Sequence, residues 1–146
     1  MAHDRFWWTV HAHVGPGCPN KIEDVQLVQL GYFCKASSQK DGSNPAQKAI
    51  YAKVVPGAVY SGKLDDPLTI AIKTHQQHRG GTQDGRVSPI GNSVGMYDGQ
   101  HIWMVMALSN AILEVIKANW PRLDSHPKCP AALKGAVERV FLEDLP

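Results

Sequence analysis

The chain has 146 residues, 43% of them hydrophobic and 19% charged, with a formal net charge of +2. That length supports one domain with its own core, and the composition is ordinary for a soluble globular protein. So small a charge, with no run of lysine and arginine, argues against a nucleic-acid binder, and no stretch of about 18 apolar residues is present to span a membrane.

The first predicted element is a strand. From Phe6 to Val14 the residues alternate, with Phe6, Trp8, Val10, Ala12 and Val14 on one face and Trp7, Thr9, His11 and His13 on the other. This is the period of a half-buried strand. Polar residues break the apolar run and no basic stretch leads into it, so this is not a signal-peptide pattern. The expectation is a cytoplasmic protein or one exported, for instance to the periplasm, without a cleaved signal; a leader lost from the sequence is the other way to the same pattern.

Gly15 to Pro19 reads as a turn. Asn20 is then the expected N-cap of a helix, with Glu23 three residues on in capping-box position. The helix carries Ile22, Val25, Val28 or Gln29, Tyr32 and Phe33 as its apolar stripe and should end near Ala36. A polar loop, residues 37–45, follows. Ala49 to Val55 is rich in β-formers and reads as a short strand. Pro56-Gly57 turns it, and Ala58-Val59-Tyr60 is the expected hairpin partner.

The stretch from Asp65 to Gly91 carries the sharpest local signals. Asp66 is placed as an N-cap and Pro67 as the first helical residue, where its missing N–H costs nothing. Leu68, Ala71, Ile72 and His75 fall at i, i+3, i+4 and i+7, one stripe of a helix. Gly80-Gly81 stops it through the left-handed cap conformation. Asp84-Gly85 is a turn dipeptide, Val87 a short apolar anchor, and Ser88-Pro89 the start of another turn. After a glycine-rich loop, His101 to Trp120 is strongly helical and apolar nearly all round, which predicts a central position in the core. Pro121 ends that helix. A proline-rich connector leads to a last predicted helix, Ala131 to about Glu143, with Leu133, Val137, Val140 and Phe141 inward.

The runs A-I-K-T-H-Q and D-G-R-V-S-P-I-G resemble the second half of the peptidoglycan-binding-like domain, a three-helix module. Ala71, Ile72, Gln76, Asp84, Gly85 and Val87 stand at matching positions, and Asp24, Val25, Val28 and Gln29 are similar to the core of that family's opening helix. Leu68 stands where the family has Thr, His75 where it has Phe, and S-G-K-L-D-D-P replaces its glycine-rich loop. The resemblance covers residues 14–91, and 96–146 form a helical extension outside it. The expected architecture is therefore mainly α: a three-helix peptidoglycan-binding-like bundle with a short β element and two further C-terminal helices, residues 1–146 making one compact domain.

The chemistry-bearing residues reveal no active-site motif. There is no G-x-S-x-G, H-E-x-x-H, phosphate-cradling glycine loop or cysteine-peptidase signature. On a strand, His11 and His13 share a face and can reach one metal. The third ligand would come from His3, His75, His78 or Asp4, and the spacing selects none. A solvent-facing strand edge is the plainer reading. His75 lies on an apolar stripe and is expected as a core histidine bonded to a backbone carbonyl. Cys18, Cys34 and Cys129 lack metal-site spacing; free thiols are the expected state, with a Cys18–Cys34 or Cys34–Cys129 bridge as the alternative in an oxidising compartment. The Asp65-Asp66 pair reads as a cap. Trp7, Tyr32, Tyr51, Tyr60 and Tyr97 cannot all be core, and aromatic faces stack on sugar rings and peptide planes.

The resemblance implies a non-catalytic module that recognises the glycan or stem peptide of bacterial peptidoglycan with no cofactor. It also implies association with cell-wall enzymes or with secretion systems. Gln76, Asp84 and Arg86 are the residues it points to for polar contacts, Arg86 through its planar fork to a stem-peptide carboxylate. Two other readings stand beside it: a protein-interaction or immunity-type module that kept the fold without wall binding, and a small metal-dependent wall hydrolase built on His11 and His13.

Overall fold

A computed structural model describes residues 6–40, 42–80, 82–89, 104–116, 122–133 and 138–141. It is mainly helical. Strand β1 (Phe6–Thr9) is followed by helices α1 (Ile22–Lys35), α2 (Pro45–Tyr51), α3 (Pro67–Arg79) and α4 (Met104–Ile116), two 3-10 turns at Leu123–Ser125 and Ala131–Leu133, and strand β2 (Glu138–Phe141). Among the described residues no helix is long and apolar enough to cross a membrane.

Helix α1 is the centre of the molecule. Eleven of its residues are buried, from Asp24 round to Lys35, including the polar Gln26 and Gln29. Helix α4 crosses it where α1 carries Gly31. A Cβ at that glycine would lie 2.6 Å from Leu108 Cβ, so the missing side chain lets the two backbones approach. A glycine in a helix interior costs about 1 kcal/mol relative to alanine, and here close packing is the return. The central place expected for the His101–Trp120 helix is shared with α1. In α4, Val105, Met106, Leu108, Ala111 and Ile112 are buried, while Leu113 and Val115 face outward. Residues 101–103 and 117–120 of that expected helix lie outside the described residues. Ser109 Oγ donates to the Trp8 carbonyl (2.9 Å), and Trp7 Nε1 donates to Asn110 Oδ1 (3.2 Å), tying α4 to β1.

Helix α3 forms as its sequence predicts. Asp66 Oδ1 accepts from Leu68 N–H at 2.8 Å, Pro67 is the first residue, and Gly80 closes the helix at φ +79°. Leu68, Ala71, Ile72 and His75 are all buried.

Three expectations are corrected. Ala49 to Val55 is not a strand: α2 runs through Tyr51. Asn44 caps it, its side chain accepting from Gln47 N–H (2.8 Å) while Gln47 Oε1 accepts from Asn44 N–H (2.9 Å), with Pro45 at the first position. This capping box outweighs the β preference of Ile50 and Tyr51. Nor does Asn20 cap α1. Its backbone is left-handed at φ +51°, its side chain bridges Gly15, and Lys21 is the capping position without a side-chain bond. Finally, the segment from Ala131 is not one helix. It opens with a 3-10 turn, and residues 138–141 form β2, antiparallel to β1 with Phe6 opposite Phe141 and Thr9 opposite Glu138. Strand β1 ends at Thr9, short of the alternation through Val14, and Val14 pairs with Val87 instead.

Candidate functional site

After Thr9 the chain leaves the strand and is caught by α1. The buried Asp24 carboxylate accepts from His11 N–H (2.9 Å) and Ala12 N–H (3.1 Å), and its Oδ1 lies 2.9 Å from His11 Nδ1. A buried anion with three such contacts is well compensated. Two residues on, His13 Nδ1 shares a hydrogen bond with Ser88 Oγ at 3.1 Å. The two histidines therefore do not sit as an i, i+2 strand pair; each ring is turned to a different element. Among the described residues no group of three His, Cys, Asp or Glu side chains is placed to hold a metal ion; His3 and Asp4 lie outside those residues.

Val14 then pairs with Val87 in a single antiparallel bridge, with N–H···O distances of 3.0 and 2.8 Å, and both side chains are fully buried. The bridge ties the chain ahead of α1 to the turn that follows α3. Gly15 fits beneath that turn at φ +149°, where a Cβ would meet the Gly85 carbonyl at 2.4 Å. Asn20 completes the frame: Gly15 N–H donates to its Oδ1 (2.8 Å), and its Nδ2 donates to the Gly15 carbonyl (2.9 Å).

The three residues singled out from sequence meet at this turn, in different roles. Gln76 is buried on α3. Its Nε2 donates to Asp84 Oδ1 (2.8 Å) and to the Arg86 carbonyl (3.1 Å), while its Oε1 accepts from Gly85 N–H (2.9 Å). Asp84 Oδ1 also accepts from Arg86 N–H (3.0 Å). Gly85, at φ +76°, supplies the left-handed residue that the turn needs. Gln76 and one oxygen of Asp84 are thus committed to shaping the loop. The Arg86 side chain is exposed beside it.

Of the aromatic residues expected to contribute a surface, Tyr32 and Tyr51 are wholly buried, with ring centroids 5.4 Å apart. Tyr32 hydroxyl lies 2.9 Å from His75 Nδ1, and His75 is a core histidine as expected. Burial, with Tyr51 beside it, holds the Tyr32 hydroxyl well above its ordinary range. Lys35, also buried, stands over the Tyr51 ring at 5.6 Å. Trp7 is half-buried against α4, and Tyr97 lies outside the described residues. Tyr60 remains. It is half-buried, and its hydroxyl lies 2.6 Å from Thr69 Oγ1 on α3. Burial raises its pKa, and the Thr69 bond opposes the shift.

The three cysteines are free. Burial, with the Glu114 charge adding to it, pushes Cys34 up to about 12, which makes it an inert core thiol. Cys18 is half-buried near Arg86; burial raises it and the guanidinium opposes the rise.

Sequence reading located the closing turn but missed what holds it, namely Gly15, Asn20 and the Val14–Val87 bridge. The G-P-G-C-P-N run was the available signal, a turn composition dense enough to require a fixed geometry. Comparison with known proteins finds no matching family model, no similar curated protein and no similar solved structure.

Proposed function

We propose that the chain is a non-catalytic binding module for bacterial cell-wall peptidoglycan. The observation that carries this reading is the closing turn. Its backbone is over-determined by Gln76, Asp84 and the Val14–Val87 bridge, and it holds an exposed arginine that makes no ion pair among the described residues. A preorganised loop loses little entropy on binding, and a guanidinium pairs with carboxylates in a bidentate manner. The motif residues quoted above support the wall as the ligand. The test is co-sedimentation of the protein with purified sacculi at two salt concentrations. Binding should survive moderate salt, since a shaped site is screened less than diffuse attraction of a +2 protein to an acidic polymer. Arg86→Ala should lower the bound fraction about tenfold, as for the loss of one charge-assisted contact of ~1.4 kcal/mol; unchanged pull-down removes the reading.

A protein-interaction module is the second reading, and one observation favours it. Gln29 grips the loop after α2, its Oε1 accepting from Gly57 N–H (3.0 Å) and its Nε2 donating to the Ala58 carbonyl (2.9 Å). Tyr60 is anchored to Thr69 on the other side. Between these anchors Val59 is 95% exposed, and Val55 and Leu64 on either side of them are exposed as well. Exposed apolar side chains on a pinned loop suit a protein surface. Val59→Asp would abolish partner capture under this reading and leave sacculus binding unchanged under the first.

A further inference from the structure

We infer that the Asp84–Gly85 link is a latent self-modification site, able to close to a succinimide and reopen as isoaspartate, and that Gln76 is the residue that keeps it shut. The chemistry does not depend on what the turn binds, so wall binding and this reaction stand or fall separately.

The reaction is that of an aspartate followed by glycine. The Gly85 backbone nitrogen attacks Asp84 Cγ, the carboxyl being in its acid form. An N–Cγ bond forms, a Cγ–O bond breaks, and the hydroxyl leaves with the amide proton as water. Water then adds back to the five-membered ring. Addition at Cγ restores aspartate. Addition at the main-chain carbonyl carbon of Asp84 leaves the chain running through the side chain, as isoaspartate. No oxidant, metal or second substrate takes part. Glycine at position 85 has no Cβ to crowd the nitrogen, and Asp84 is exposed to the water that the reopening consumes.

The turn works against closure at both ends of the new bond. The nucleophile is held, since the Gly85 N–H is buried and donates to Gln76 Oε1 at 2.9 Å. The electrophile is held too: Asp84 Oδ1 accepts from Gln76 Nε2 (2.8 Å) and from Arg86 N–H (3.0 Å). Closure needs the nitrogen and the carboxyl carbon to reach a near-attack arrangement. For that the amide must leave its acceptor and the carboxyl must turn away from two donors. The single Gln76 side chain opposes both motions. The peptide beyond is fixed as well, by the Gln76 bond to the Arg86 carbonyl (3.1 Å), by Gly15 packed under the Gly85 carbonyl, and by the Val14–Val87 bridge. Isoaspartate adds a methylene to the main chain here and shifts Val87 against Val14, so the modified turn loses the bridge bonds of 3.0 and 2.8 Å.

The experiment ages the folded protein in neutral buffer for several weeks, beside the same protein unfolded in guanidinium chloride, which sets the unrestrained rate. Digestion and mass spectrometry locate isoaspartate at Asp84 and separate it from the Asp41-Gly42 and Asp98-Gly99 pairs. The folded chain should form it at Asp84 at least about tenfold more slowly, the rate equivalent of ~1.4 kcal/mol or one hydrogen bond. Gln76→Ala should recover most of the unrestrained rate while circular dichroism still shows helix. Gln76→Glu can accept from Gly85 N–H but cannot donate to Asp84. It covers the case in which the alanine variant does not fold, and should speed the reaction about threefold or more. His75→Phe, which disturbs the core beside Gln76 and not the turn, should age like the wild type. In the modified fraction, amide exchange at Val87 should quicken. Equal rates in folded and unfolded protein would overturn the inference. So would wild-type ageing in both Gln76 variants, or an equal acceleration by His75→Phe, which would assign the protection to global stability instead of Gln76.

Discussion

His75 and Gln76 are consecutive residues of α3, both buried and both polar, and they serve different regions. His75 points into the helical core, where it meets the Tyr32 hydroxyl from α1 and packs edge-on to the Tyr32 ring, 5.6 Å between centroids. Gln76 points at the closing turn, where its amide bonds the Gly85 N–H and the Arg86 carbonyl. The first region joins side chain to side chain. The second joins side chain mainly to backbone, with Asp84 Oδ1 also accepting from Gln76. Both partners of a side-chain pair can be replaced by apolar groups of similar shape, whereas a peptide N–H and C=O remain whatever the sequence becomes. The core pair should therefore be replaceable and the turn clamp should not.

The largest effect is expected in the turn. Gly15→Ala places a Cβ 2.4 Å from the Gly85 carbonyl oxygen and 3.0 Å from Arg86 Cα, both backbone atoms. It should cost about 3 kcal/mol in urea denaturation, as overpacking against rigid neighbours does. Removing the clamp comes next. Gln76→Ala leaves buried backbone groups without partners, at roughly 1–3 kcal/mol. Amide exchange at Gly85 should quicken before global unfolding, and no second substitution at a neighbouring side chain should restore it.

The core supplies the contrast. His75→Phe keeps the volume but leaves the Tyr32 hydroxyl buried without its present partner, at about 2 kcal/mol. Adding Tyr32→Phe should return most of that, so the double-mutant cycle should show a coupling of about 1.5 kcal/mol or more. An additive result would show the hydroxyl pair to be energetically inert, and the comparison of the two regions would fail. The smallest effect involves His126, buried beside Phe33, whose Nδ1 accepts the Lys128 N–H at 2.9 Å. Burial lowers its pKa from the ordinary 6.5. The unfolded chain therefore takes up the proton first as acid is added. This residue's contribution is full above pH 6.5 and lost as the pH falls through the lower folded value. The thermal midpoint should fall slightly over that window, and less so in His126→Asn.

Much of this fold was legible because its signals are local. Asp66-Pro67 and Gly80 bound α3 by backbone chemistry that needs no neighbour, and the stripe Leu68, Ala71, Ile72, His75 predicted the buried face correctly. Helix α2 was equally local in its Asn44-Pro45-Ala46-Gln47 box, but the β-rich run Ile50 to Val55 points the other way. Gln76, Asp84 and Arg86 lie together at the closing turn, since a helix followed by an Asp-Gly turn brings its own end back upon itself. Their division of roles was not legible: only the packed structure shows that the Gln76 amide is the strap and that the Arg86 side chain is left outside.

The sequence by itself determined where α3 starts and stops, which of its residues face inward, and that a tight turn follows it, because caps, proline, glycine and helical period act within a few residues. The tertiary structure decided what lies far apart in the chain. Residues 138–141 carry a pattern that serves a helix or a strand, and β1 at the opposite end of the described chain made it a strand by offering free peptide groups in register. Asn20, a plausible cap, was drawn instead to Gly15, whose peptide N–H and C=O its amide satisfies together. The identity of a hydrogen-bond partner is a property of the packed chain, and no period or propensity along the sequence contains it.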